Sequence, residues 1–127
     1  MEGSMIVLML AMVALPPCPS KPNCVSTQAT DVEHRIEPIH YNGSTAEAIK
    51  KLRAIVESMP RAKIVKSDAT SITATFTTLI FRFVDDALFV FDDANKTLHF
   101  RSASRIGRSD WGVNRRRMEA IRQRFTE

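Results

Sequence analysis

No apolar run in the 127 residues approaches the ~20 that a membrane-crossing helix needs, which excludes a polytopic membrane protein. Cysteine is scarce. Two residues, Cys18 and Cys24, cannot build a disulfide-framework miniprotein. With Pro19-Ser20-Lys21-Pro22-Asn23 between them and no second pair, they also lack the spacing of a zinc site. There is no internal repeat and no low-complexity tract. Lysine is absent after residue 99, where all eight cations are arginine. What remains is 44% hydrophobic and 25% charged, too apolar for a disordered chain and the right size for one domain with its own core. The net charge of +4 is unevenly placed: residues 1–99 carry ten Lys/Arg against eleven acids, and residues 100–127 carry eight Arg against three. Arginine suits planar, forked contacts to carboxylate or phosphate, so this tail is either a solvated basic helix or the seat of an anionic partner.

Met1-Glu2-Gly3-Ser4 reads as an added extension and is set aside from fold reasoning. Met5 to Leu15 is an unbroken apolar run with the length of a signal-peptide core, closed by Pro16-Pro17. It has no basic residue ahead of it. Residues 1–17 are expected to be signal-like or membrane-proximal, with a buried strand or helix of the domain as the alternative. Pro17 before Cys18 argues against lipidation. Cys18 and Cys24 are expected either as a disulfide, which fits an oxidising compartment, or as two free thiols. A nucleophilic Cys24 would need a base, and His34 and His40 are near in sequence.

From residue 18 onward the pattern predicts a single α+β domain. Ser20 to Gln28 reads as loop and Ile36 to Tyr41 as a short edge strand. Ser44-Thr45-Ala46-Glu47 is a capping box that starts a helix with Ile49, Leu52, Ile55, Val56 and Met59 on one stripe, ended by Pro60. Ala62 to Lys66 is a strand. Ile72, Ala74 and Phe76 alternate with threonines, the period-two mark of a half-buried strand. Leu79 to Val84 and Ala87 to Phe91 continue in β composition, the turn Asp92 to Lys96 follows, and Thr97 to Ser102 returns. Trp111, Asn114, Met118, Ile121 and Phe125 then mark one face of a terminal helix. The order β-α-β-β-β-β-α predicts an antiparallel sheet of four to five strands with both helices on one face.

Chemistry concentrates where the last strand meets the last helix. Helix N-termini bind anions through free N–H groups and a partial positive charge. Here Arg101, Ser102, Ser104, Arg105, Arg108, Asp110, Trp111, Asn114 and Arg115 gather around such an end. Asp110 is placed as its cap or as a partner to an arginine. Asn114, polar within an apolar stripe, must find partners and is expected to hold the loop. Asp85 and Asp86 end an apolar strand, so one of them points inward and needs a cation from Arg101, Arg105 or Arg82. As paired carboxylates they are also candidates for general acid and base. Asp92-Asp93 sits in a turn, where aspartate is common for backbone reasons.

Three blocks resemble a family of bacterial and plant proteins known as domain of unknown function 1499. They are Cys18 to Ser26, Phe83-Val84-Asp85-Asp86, and Arg101 to Gly107 continued by Ser109 to Arg117. The resemblance implies a small domain that is membrane-associated or exported, and it implies no activity.

Three functions stay open. One is an envelope-associated binding domain holding an anionic small molecule or acidic lipid headgroup on Arg101, Arg105 and Arg108, with Trp111 as an apolar wall. Another is a small enzyme using Asp85, Asp86 or Cys24 with the Arg loop as charge stabiliser. The third is an assembly module whose Arg loop is an internal staple. No cofactor and no metal is called for. The scattered helix arginines lack interleaved aromatics, which argues against nucleic acid. A membrane surface is an eligible partner. The expected location is the cell envelope or beyond, with the cytoplasm as the alternative.

Overall fold

The computed structural model describes residues 14–127. The chain runs β1 (Cys24–Ser26), β2 (Ile39–His40), α1 (Thr45–Glu57), β3 (Ala62–Ser67), β4 (Ser71–Thr77), β5 (Val84–Asp92), β6 (Thr97–Ser104) and α2 (Val113–Thr126). The expected signal-like residues 5–13 lie outside the described part. No described helix is long and apolar enough to cross a membrane.

Over the described residues the fold is α+β, with two helices and a six-stranded antiparallel sheet. The four strands β3 to β6 form a meander in sequence order. The free edge of β6 is then shared by two short strands: Cys24–Ser26 pair with Ala103–Arg101, and Ile39–His40 with Leu98–Thr97. Period two decides which face is buried. Ile72, Ala74 and Phe76 of β4 and Ala87, Phe89 and Phe91 of β5 turn inward with Leu98 and Phe100 of β6. They meet Ile49, Leu52, Ile55 and Val56 of α1 and Met118, Ile121 and Phe125 of α2 in one core. The Ser44 hydroxyl accepts from the Glu47 N–H at 3.1 Å and starts α1 as the capping box requires.

Three segments differ from the sequence expectation. Ser20 to Gln28 holds β1, so the strand count rises to six. Residues 79–83 are not strand: Thr78 closes residues 78–83 as a loop, its N–H donating to the Phe83 carbonyl (2.9 Å) and its hydroxyl accepting from the Phe83 N–H (2.8 Å). Trp111 is not on the buried helix face. Gly112, at φ 79°, turns the chain just before α2 and leaves Trp111 85% exposed. A Cβ at residue 112 would meet only the mobile end of the Arg116 side chain, so it is the positive φ that asks for glycine here.

The irregular stretch before α1 is held by side chains. Cys18 and Cys24 are joined. The buried His34 ring spans two segments, Nδ1 lying 2.6 Å from Asp31 Oδ2 and Nε2 2.7 Å from the Lys21 carbonyl. An acceptor faces each nitrogen, an arrangement that favours the doubly protonated ring. The Lys21 carbonyl raises its pKa above the ordinary ~6.5, against the opposing effect of burial, and Asp31 and Glu33 add to the rise. Asp31, Glu33 and His34 approach one another closely, with both ring nitrogens engaged by Asp31 and the Lys21 carbonyl. The raised folded-state pKa means this contribution to stability is complete below about pH 6.5 and is lost as pH climbs through the folded value. Urea melts between pH 6 and pH 8.5 are expected to show that His34→Gln removes a part of the stability that falls as pH rises, opposite in sign to the contribution of His99, whose burial lowers its pKa. An unchanged pH dependence in the variant would refute the assignment.

Candidate functional site

The loop from Arg105 to Gly112 is built on Asn114, which is fully buried at the start of α2. Its Nδ2 donates to Asp110 Oδ2 (2.7 Å) and Ser104 Oγ (3.1 Å) and lies 3.4 Å from the Asn23 carbonyl. Its Oδ1 accepts from Ser102 Oγ (2.5 Å) and Arg117 Nη1 (3.3 Å). One amide thus ties the disulfide-closed segment, β6, the loop and α2 together. Asn23 completes the frame by donating to the Gly107 carbonyl at 2.8 Å. Asp110 caps the helix from two residues upstream of Gly112: Oδ1 accepts from the Gly112 N–H (2.9 Å) and Oδ2 from the Asn114 N–H (3.0 Å). The chain's own carboxylate therefore fills the positive helix end that the sequence offered to an outside anion.

Asp85 is 1% exposed, and its Oδ2 lies 2.9 Å from Arg117 Nη1. That contact is off the hydrogen-bond line, so it is an ionic one. The Arg117 guanidinium also covers the Phe76 ring at 4.6 Å. Asp86 faces the other side of the sheet and takes a forked pair from Arg105, Nε to Oδ2 at 2.8 Å and Nη2 to Oδ1 at 3.0 Å. The sequence anticipated an Arg105 pairing but missed Arg117. The signal was present: Arg117 follows Asn114 by one helical turn and must share its buried face.

Four of the remaining tail arginines, Arg101, Arg115, Arg116 and Arg122, are spent on backbone carbonyls. Arg115 grips the carbonyls of Arg35 (2.8 Å) and Glu33 (3.0 Å), and Arg122 those of Pro38 (2.9 Å) and Glu37. Arg101 reaches the Pro17 carbonyl at 3.3 Å, Arg116 the Trp111 carbonyl at 2.8 Å, and Arg124 the Ser58 hydroxyl at 2.5 Å. These carbonyls belong mostly to segments outside the ladders, where a forked donor supplies what a strand neighbour would. Arg105 through its fork and Arg101 through charge both act on Asp86, while Arg108 joins neither contact. Of the eight, Arg108 alone has neither hydrogen bond nor ion pair among the described residues.

Arg108 lies in the chain between Gly107 and Ser109, two residues that line a cleft of about 250 Å³ between the 78–83 loop and the loop after β6. Phe81, Phe83, Ile106, Trp111 and Val113 form its walls, and Thr78, Asp85, Ser104, Ser109 and Asp110 its polar side. The only predicted binding residues in this lining are Ser104, Asp110 and Trp111. Ser102 and Asn114 lie beneath it, and Arg101 and Arg115 are engaged elsewhere. Cys24 is fully buried in its bond to Cys18, so it has no thiol to act as a nucleophile. Phe81 and Phe83, which the sequence assigned to a strand, are the residues missed. Larger hollows of about 490 Å³ (His40, Glu47, Lys51, Phe125) and 660 Å³ (Ala14, Gln28, His40, His99) are more open to solvent.

The sequence profile of a family described as "Protein of unknown function (DUF1499)" matches residues 14–125. No curated protein and no solved structure matches the chain.

Proposed function

The chain belongs to the DUF1499 family, and from the geometry of its own residues we propose that it is a binding domain whose cleft takes an acidic amphiphile. The apolar part lies between Phe81, Phe83, Ile106 and Trp111, and the acid group lies at the mouth beside Arg108 and Arg82. The observation that carries this reading is the unpaired Arg108, set between the cleft residues Gly107 and Ser109. Arg82, exposed between Phe81 and Phe83, is likewise unpaired among the described residues. An apolar cavity with a few placed polar groups is the ordinary form of a ligand site. The staple role left open by the sequence describes seven of the eight tail arginines, and the eighth leaves a seat.

Binding is favoured over catalysis by the state of the candidate groups. Asp85 faces Arg117, Asp86 is forked by Arg105, and Cys24 is oxidised. None offers a free base or nucleophile. An envelope location, where acidic lipids are at hand, is part of the same proposal.

Trp111 is the single tryptophan and lines the cleft, so it reports directly. Decanoate below its micelle concentration is expected to shift Trp111 emission to the blue in a saturable way, with decanol weaker. Arg108→Ala is expected to weaken decanoate about two- to fivefold, the worth of an exposed ionic contact. A folded protein with no emission response to decanoate would overturn the reading.

A further inference from the structure

Around the cleft, and beyond it at Leu79 and Ile80, this end of the molecule carries more exposed apolar surface than a ligand site requires. Leu79 is 64% exposed, Ile80 80%, Phe81 73%, Ile106 62% and Trp111 85%. Phe81 and Phe83 stack at 5.5 Å in the open instead of packing into the core. Two loops that are distant in sequence contribute these side chains, so the patch is made by the fold rather than by one sticky segment. Patches of this kind mark interaction surfaces. The backbone contributes as well: Arg82 at φ 59° and Trp111 at φ 57° hold left-handed conformations that side chains rarely adopt. Strain retained on two facing loop tips points to a use for that shape.

The charge pattern selects the partner. Neither loop has an unpaired acid: Asp110 caps α2, and the flanking Asp85 and Asp86 face arginines. The free charges at this end are the guanidinium groups of Arg82, between Phe81 and Phe83, and Arg108, two residues after Ile106 and three before Trp111. Apolar and aromatic tips beside cations match the layered chemistry of a bilayer surface, with acyl boundary within and acidic headgroups without. We propose that residues 79–83 together with Ile106, Arg108 and Trp111 dock the domain onto an acidic lipid bilayer. The proposal rests on the same loops as the cleft reading but does not need the cleft to be filled, because neither Leu79 nor Ile80 lines it.

The test is co-sedimentation of the full chain with vesicles of phosphatidylcholine alone and of phosphatidylcholine mixed with phosphatidylglycerol. Binding to the acidic vesicles only, falling as salt rises, is expected. The double variant Leu79→Ser, Ile80→Ser changes two exposed side chains, so its fold should survive. It is expected to weaken vesicle binding at least tenfold while leaving the decanoate response of Trp111 in place. Arg82→Glu with Arg108→Glu is expected to abolish the preference for acidic vesicles. Equal binding to both vesicle types would overturn the proposal. So would undiminished binding by the serine variant, which would assign the affinity to another part of the chain, such as the apolar sequence at residues 5–15. No vesicle binding, with a concentration-dependent dimer that the serine variant dissociates, would overturn it too and give the patch to a second copy. A failed decanoate titration alone removes the cleft reading and leaves this one standing.

Discussion

Arg117→Met is expected to cost the domain about 3–5 kcal/mol of unfolding free energy, because it strands the buried Asp85 carboxylate without its cation. Methionine keeps much of the apolar contact with Phe76, so the loss reports charge more than packing. Asp85→Leu combined with Arg117→Met is expected to recover most of that loss, since a buried pair replaced by apolar residues of similar size is often neutral or better. Arg105→Ala serves as the control. Its partner Asp86 is 44% exposed at the side chain, and a pair at that exposure contributes about 1 kcal/mol or less. Urea unfolding of the four proteins at one pH decides the matter. A cost for Arg117→Met no greater than that for Arg105→Ala would mean that water reaches Asp85 and that the pair does not act as a buried one.

Asn114→Leu is the second large effect, about 2–4 kcal/mol. The substitution keeps the volume but leaves the Ser102 hydroxyl, the Ser104 hydroxyl and one Asp110 oxygen without their amide partner, and each buried polar group so orphaned costs about 1–3 kcal/mol. Asp110 retains its two helix N–H donors, so its share is at the low end. Arg117 Nη1 touches both Asp85 and Asn114, so the two lesions should not add. A coupling of at least about 0.5 kcal/mol is expected when Asn114→Leu and Arg117→Met are combined. Amide exchange gives an independent readout: in Asn114→Leu the loop 105–111 should exchange faster than the β4–β5 ladder. Protection unchanged in that loop would show that something other than Asn114 holds it.

What could be read in the sequence was whatever repeats at short range. Ile72, Ala74 and Phe76 announce their strand by alternation, and Ser44 with Glu47 announces its helix by capping. Asn114 stood out as the polar member of an apolar stripe, and its burial among Asp110, Ser102 and Ser104 follows from that. What escaped depends on long-range geometry. A three-residue strand such as Cys24–Ser26 has no room for a period, and its partners Arg101–Ala103 lie at the other end of the chain. Residues 79–83 have strand composition, yet composition is the same for side chains that pack inward and for side chains left in the open. Arg82, in the left-handed region, breaks that run. The eight tail arginines looked alike as a cluster. Only their individual carbonyl and carboxylate partners separate Arg108 from the rest.

The way β6 shares its free edge between β1 and β2 has a consequence for the order of events during synthesis. Both short strands leave the ribosome early, and neither can find its place until Thr97–Ser104 has been made. For most of translation the first thirty or so described residues have only local contacts to make. Contacts so widely separated along the chain are slow to form. The Cys18–Cys24 bond spans only six positions and can close before any strand pairs, so oxidation narrows the search of that segment while it waits.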